Sequence, residues 1–238
     1  MAYFRREIGS PDAMLEIGQK RESSAQLLHK FGFNRNIGTS YETIWNNGGG
    51  IYTFPSQALT MSVVSSSADD TNTVLISGLD SDYQEIFDVV VLTGTTPVTT
   101  TNQFFRINDV RILTGNNVGD ISVTNGGTTY GYIEAGLGSE QALIYTVPAG
   151  KSVYIHQVNF TSGTVNPNKF LFSRACLITQ TGAEYHFWES TFQQDIKFDL
   201  RVPFIIREKQ DFSIEAKSSS SDNELSVYLG AVLLEDYV

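Results

Sequence analysis

The sequence reads as an all-β protein: antiparallel, jelly-roll-like β-sandwich units preceded by an extended N-terminal arm. Three observations lead there. After Tyr41, apolar and polar residues alternate with the two-residue period of half-buried strands. Charged residues are only 18% of the 238, against ~25% in ordinary soluble domains, while Gly, Ser, Thr and Asn are plentiful. Strand-like runs also recur at short intervals with turn residues between them, the spacing of a sandwich.

The leading segment, residues 1–40, has a different texture. In SPDAM, Ser10 suits a helix N-cap and Pro11 the first helical position. Gly9, Gly18, Gly32 and Gly38 then interrupt any long helix. The apolar residues Leu15, Ile17, Leu27, Leu28, Phe31 and Phe33 are scattered among charges without a clear period. An extended arm with one or two short helical turns fits this pattern, and such an arm cannot bury its apolar residues alone. These six are therefore the candidate partner-binding residues.

From residue 41 the strands follow in series: YTF, ALTMSVVSS, TNTVLISGL, QEIFDVVVLTG, QFFRINDVRILTG and GDISVTNGG. DSD at 80–82 is a hairpin turn. In the strand after it, Tyr83, Glu85, Phe87, Val89 and Val91 share one face, and Gln84, Ile86, Asp88, Val90 and Leu92 the other. Pro97 ends that strand, having no N–H for a ladder. The glycine-rich NGGTTYGYIEAGLGSE, 125–140, is the expected boundary, which gives one sandwich unit over 41–128 and a jelly-roll-like unit over 129–238. The second series runs from QALIYTVPAG to ELSVYLGAVLLED, whose Leu225, Val227, Leu229, Ala231 and Leu233 alternate onto one face.

Charge narrows the function. The net charge is −10, opposite to the basic face of a nucleic-acid binder. Six basic and four acidic residues make residues 1–35 +2, and the other ten basic and 22 acidic residues make the remainder −12. From Asn36 to Phe105 there is no Lys or Arg. No apolar run approaches the ~20 residues of a membrane helix, and the first fifteen residues lack the apolar core of a secretory signal. No membrane partner is expected. The single cysteine, Cys176, lies in FLFSRACLITQ and reads as a buried small hydrophobe.

Residues capable of chemistry are few and dispersed. PAGKS at 148–152 has Tyr145 where a phosphate-binding loop needs Gly, so it reads as a β-turn. His29, His156 and His186 share no metal-ligand spacing, and no GxSxG occurs. Asp69 and Asp70, or Asp80 and Asp82, invite a calcium reading, but the two loops sit at opposite ends of one strand. Glu184 with Glu189 or Asp195, beside Tyr185 and Trp188, has the residue types of a glycosidase pair, or of a solvated strand face with aromatics at its rim. The expectation is no catalytic residue, no metal and no cofactor.

Three passages carry a family likeness. SSADDTNTVLISGLDSDYQEIFDVVVLTGTTPVTTTNQFFRINDVRIL resembles a segment of virion structural proteins of tailed bacteriophages, notably marine and cyanobacterial podophage-like ones. HKFGFNRNIGTSYETIWNNGGGIYTFP is similar to their lead-in, and VPFIIREKQDFSIEAKSSSSDNELSVYLGAVLLED to their close. The resemblance covers most of the chain and contains no catalytic motif. It implies a non-enzymatic virion component, made in the host cytoplasm and carried in the particle. The implied partners are other copies of the chain, as a homotrimer, and the major capsid protein or a tail protein. Capsid decoration or cement, anchored by the N-terminal arm, is the first role. A tail-associated adaptor, baseplate or fibre-attachment subunit is the second, and a host-glycan-binding module the third.

Overall fold

The computed structural model describes residues 11–163, 169–220 and 223–236. Helix α1 (Pro11–Gly18) precedes strands β1 (Ala25–Ile37) and β2 (Glu42–Thr43). Then come β3 (Ser62–Ser65), β4 (Thr73–Leu79), β5 (Glu85–Val91), β6 (Val98–Thr99), β7 (Arg106–Ile112), β8 (Ile121–Asn125) and β9 (Thr128–Ile133). The chain closes with β10 (Ile144–Thr146), β11 (Lys151–Ser162), β12 (Leu171–Ile178), β13 (Glu184–Phe192), β14 (Ile196–Ile206), β15 (Asp211–Ser218) and β16 (Asn223–Glu235). The protein is all-β and its strand pairs are antiparallel, as its alternation requires.

Two sandwiches are present, one inserted in the other. The first packs sheet β1-β16-β11-β14 against sheet β10-β15-β12-β13. Strands β2 and β10 pair in succession along the same edge of β15, so they are two halves of one strand position. Taken along the chain, the strands then alternate between the two sheets, except for the β12–β13 hairpin within one sheet, in the manner of a jelly roll. Its core lies between the sheets, built from Val153, Ile155, Phe160, Leu225, Val227 and Leu229 on one side and Leu171, Ala175, Phe212 and Ile214 on the other. The alternating face of the last strand is indeed the buried one.

The second sandwich fills the excursion between β2 and β10. It packs β6-β3-β8-β9 against β5-β4-β7 around Met61, Val63, Ile76, Phe104, Val110 and Ile121. The excursion leaves and returns through a neck in which Trp45 bridges Ala142 and the Leu143 amide donates to the Ile44 carbonyl.

This nesting moves both expected boundaries. The glycine-rich stretch is not a domain boundary. Asn125 pairs with Thr128, and Gly126 and Gly127 take φ of 57° and 84°, the double left-handed turn of a tight hairpin. Strand β9 therefore belongs with β8, and the first unit continues to the neck near residue 142. The arm also ends much earlier than residue 40. Residues 25–37 are β1, paired with β16 from Ala25↔Leu234 to Ile37↔Asn223. Gly32 is there for space: a Cβ would collide with the Leu143 side chain and sit 2.8 Å from the Ile44 carbonyl oxygen. Ahead of β1, α1 begins at Pro11 as expected; the proposed cap Ser10 lies outside the described residues. The helix packs Ile17 with Ala25 and Val232 on the outer face of the jelly roll.

Buried polar groups join the two sandwiches. Arg106 of β7 forms a two-pronged ion pair with Asp211 of β15, at 2.7 and 2.8 Å. The Thr146 hydroxyl donates to the same carboxylate. The Asn108 amide donates to the Thr146 carbonyl and accepts from its N–H. The guanidinium of Arg106 also lies 3.9 Å from the centre of the Phe105 ring. These contacts are directional, so they set the orientation of the inserted sandwich as well as its attachment.

Candidate functional site

The outer face of the three-stranded sheet exposes a run of apolar side chains on one strand. Strand β5 is its edge. The expected alternation holds: Val90 is buried, while Phe87, Val89 and Val91 face outward at 65%, 52% and 58% exposure. Their neighbours across the sheet are Ser77, Leu75 and Thr73 of β4. Leu113, just past β7, adds another exposed apolar side chain. An outward apolar stripe on an edge strand is unusual, because edges are ordinarily guarded by Lys, Pro or a covering element. Here Asn102 reaches the edge, donating to the Phe87 carbonyl and the Asp88 carboxylate, and the Lys151 ammonium pairs with Glu85 at the start of the strand.

Phe87 also lines a cleft of about 650 Å³ between this sheet and β1. Leu27, Leu28, His29 and Lys30 form its jelly-roll wall; Glu85, Asp109 and Arg111 line the opposite wall. The Lys30 ammonium donates to the Asn108 carbonyl at 2.7 Å, tying the walls together. His29 Nδ1 lies 2.7 Å from the Tyr228 hydroxyl.

Behind the cleft, Glu140 is buried. One carboxylate oxygen accepts from the Tyr132 amide, and Oε2 has no hydrogen-bond partner among the described residues. Burial pushes its carboxyl up to about 8 from an ordinary value of 4.5; Asp109 adds to the rise, while Lys30 and the Tyr132 amide oppose it. The folded chain thus holds a proton that the unfolded chain gives up. Stability from this group should be greatest below pH 4.5 and fall as pH rises to about 8. Glu140→Gln is expected to remove that fall and stabilise the protein by a few kcal/mol at pH 9. Urea unfolding at pH 5, 7 and 9 tests this, and an unchanged slope in the variant would refute it.

The six candidate partner-binding residues are not gathered into one surface. Ile17 is buried, and Leu27 packs in the same small cluster beneath α1. Leu28 packs against the jelly-roll core, and Phe33 is half-buried beneath the Arg35 guanidinium. Only Leu15 and Phe31 are exposed. Four of the six are thus wholly or partly engaged within the chain.

The other candidate groups fall as follows. Asp70 is buried, and its carboxylate accepts from the Ser65 hydroxyl and the Val118 and Gly119 amides. Burial pushes its pKa up, but those hydrogen bonds together hold it below the ordinary value. Asp80 accepts from the Asp82 and Gln84 amides within the β4–β5 turn. Both carboxylates serve the protein's own loops. Pro148–Gly150 is a turn, with the Lys151 ammonium on Glu85. Glu184 opens β13 and Asp195 lies beyond its end, roughly 30 Å apart at ~3.3 Å per residue. Glu184 and Glu189, five residues apart, are separated by roughly 15 Å, wider than the ~5–9.5 Å of paired glycosidase carboxylates.

No family model matches the chain, and no curated protein does. Among solved structures it is similar to infectious bursal disease virus Gx strain, at 11% identity over 88% of this chain and 71% of that one, with a TM-score of 0.25. It is similar to that virus's VP2 subviral particle at 9% identity, covering 90% and 77%, with a TM-score of 0.22. The T13 viral particle of the same virus matches at 11%, covering 90% and 74%, with a TM-score of 0.23. These are weak likenesses to viral-particle β proteins and concern the fold alone.

Proposed function

We propose that this chain is a non-enzymatic structural protein of a tailed-phage particle. In this reading it decorates or cements the capsid as a homo-oligomer, with the outer face of β5 as the contact between copies. The observation that carries the proposal is the outward apolar stripe Phe87–Val89–Val91 on an edge strand. The surrounding stretch from Asn36 to Phe105 has no Lys or Arg to discourage pairing. Such an edge stays soluble when another copy covers it. The phage-like passages of the sequence supply the particle context, and one of them contains this strand.

The reading departs from anchoring by residues 1–40, since most of that segment's described apolar residues pack on the chain itself. Two measurements test it. Quantitative mass spectrometry of purified particles should find hundreds of copies per particle; about a dozen would move the protein to the tail, and absence would overturn the proposal. Light scattering of the purified chain should show an oligomer that Phe87→Glu with Val89→Glu converts to monomer. Each buried apolar side chain contributes ~1.5–3 kcal/mol, so losing two per subunit is enough to dissociate it. A wild-type monomer would refute the role of β5.

A further inference from the structure

One side-chain cluster on the opposite sheet has a chemistry unrelated to assembly. Cys176 of β12 and His186 of β13 are direct cross-strand partners, and Glu184 lies diagonally beside them. His186 Nε2 is 3.0 Å from Glu184 Oε1, and Cys176 Sγ is 3.5 Å from the same oxygen. The three ligand atoms all lie within 4.8 Å of one another. Cys176 is buried, whereas Glu184 and His186 are open to solvent, so the cluster has a closed floor and an accessible mouth.

The sequence alone would not bring these groups together. A bulge puts Phe187 out of register, so that Cys176 pairs with His186 and Ala175 with Trp188. In regular register Phe187 would sit opposite Cys176, and the imidazole would point to the other face. The bulge thus delivers an imidazole onto the thiol's side of the sheet. The turn at Thr179–Gly182 closes the hairpin and sets the register for Glu184.

We propose that Cys176, Glu184 and His186 form a binding site for a zinc-like transition-metal ion. A thiolate, an imidazole and a carboxylate are the ligand types such an ion selects. With zinc bond lengths of ~2.0–2.3 Å, tetrahedral ligand atoms lie about 3.3–3.6 Å apart. The spacings here approach that without moving the backbone. Three protein ligands leave a fourth position for water, on the exposed side. Beside the thiol, Glu215 and Arg174 form an ion pair that adds no net charge to the site. In the metal-free chain, burial first and then Glu215 and Glu184 push the thiol up to about 12. Binding replaces the S–H bond by a sulfur–metal bond, and the proton leaves to solvent.

The test uses the full chain, reduced and stripped of metal, titrated with Co²⁺ as a spectroscopic probe. The expected result is a thiolate-to-cobalt charge-transfer band, with visible bands of tetrahedral intensity, saturating at one ion per chain and abolished by Zn²⁺. Cys176→Ser should remove the charge-transfer band. Loss of an outer-shell partner alone weakens metal sites ~10–100-fold, so His186→Ala and Glu184→Gln should each weaken binding at least ~10-fold. His156→Ala should leave it unchanged. No charge-transfer band in the wild-type chain would overturn the site, as would a band insensitive to both His186→Ala and Glu184→Gln. If Cys176→Ser does not fold, those two variants decide the matter.

Discussion

Deletion of residues 1–35 is expected to leave a chain that no longer folds, instead of a trimmed soluble body. Strand β1 would be lost except for its last residues, and β16 would become an open edge along most of its length. Ile17 and Leu27 would leave the cluster on Val232, and Leu28 would leave the side of the main core. At ~1.5–3 kcal/mol for each fully buried apolar side chain, together with the backbone bonds of β1, the loss rivals the ~5–15 kcal/mol total stability of a typical domain. The deleted chain should elute as aggregate and melt without a cooperative transition by circular dichroism. A chain starting at Pro11 keeps every contact described here and serves as the control. A cooperative melt in the larger deletion would show that the jelly roll closes without β1.

Asp211→Asn is expected to destabilise the protein by about 3–5 kcal/mol, the usual cost of leaving a buried charge without its counterion. Both side chains of the Arg106–Asp211 pair are almost entirely buried. The substitution keeps the shape but leaves the guanidinium uncompensated between the two sandwiches. Arg106→Met combined with Asp211→Leu should recover much of the loss, because the cost lies in the unpaired charge more than in the missing attraction. Urea unfolding of Asp211→Asn and of the Arg106→Met, Asp211→Leu double variant, against the unsubstituted chain, measures this. A cost below about 1 kcal/mol for Asp211→Asn would place the pair with ordinary surface salt bridges. Because Thr146 shares the Asp211 carboxylate and Asn108 holds the Thr146 backbone, hydrogen exchange should rise across β7 and β10 together.

The two predictions bear on opposite sides of what could be read from residue order. The alternation in EIFDVVV and in the final strand, and the strand-like run TVLISGL, predict the right elements, and the side chains grouped on one face do share it. Alternation is local, since successive side chains of a strand point to opposite faces whatever the partner. The DSD turn between β4 and β5 is equally local, because Asp80 accepts from amides two and four residues ahead. By contrast, β1 carries no clear alternation. Its sequence, AQLLHKFGFNRNI, mixes apolar and charged residues because it is an edge strand, covered on one face by α1 only near its start. Its glycine has the pattern of a helix breaker but is a place where the neck passes too close for a side chain.

Residue order by itself determined that this chain is all-β, antiparallel and acidic, and that Phe87, Val89 and Val91 share one face of β5. Each of these is carried by composition or by neighbours a few residues apart. Only the tertiary structure decided that β1 closes on β16, that one sandwich is inserted within the strand shared by β2 and β10, and that Cys176 meets His186. These depend on which strands pair and in what register. Pairing joins residues as distant as Ala25 and Leu234, and a single bulged residue changes which side chain faces which. A period of two residues marks a strand but carries no information about its partner.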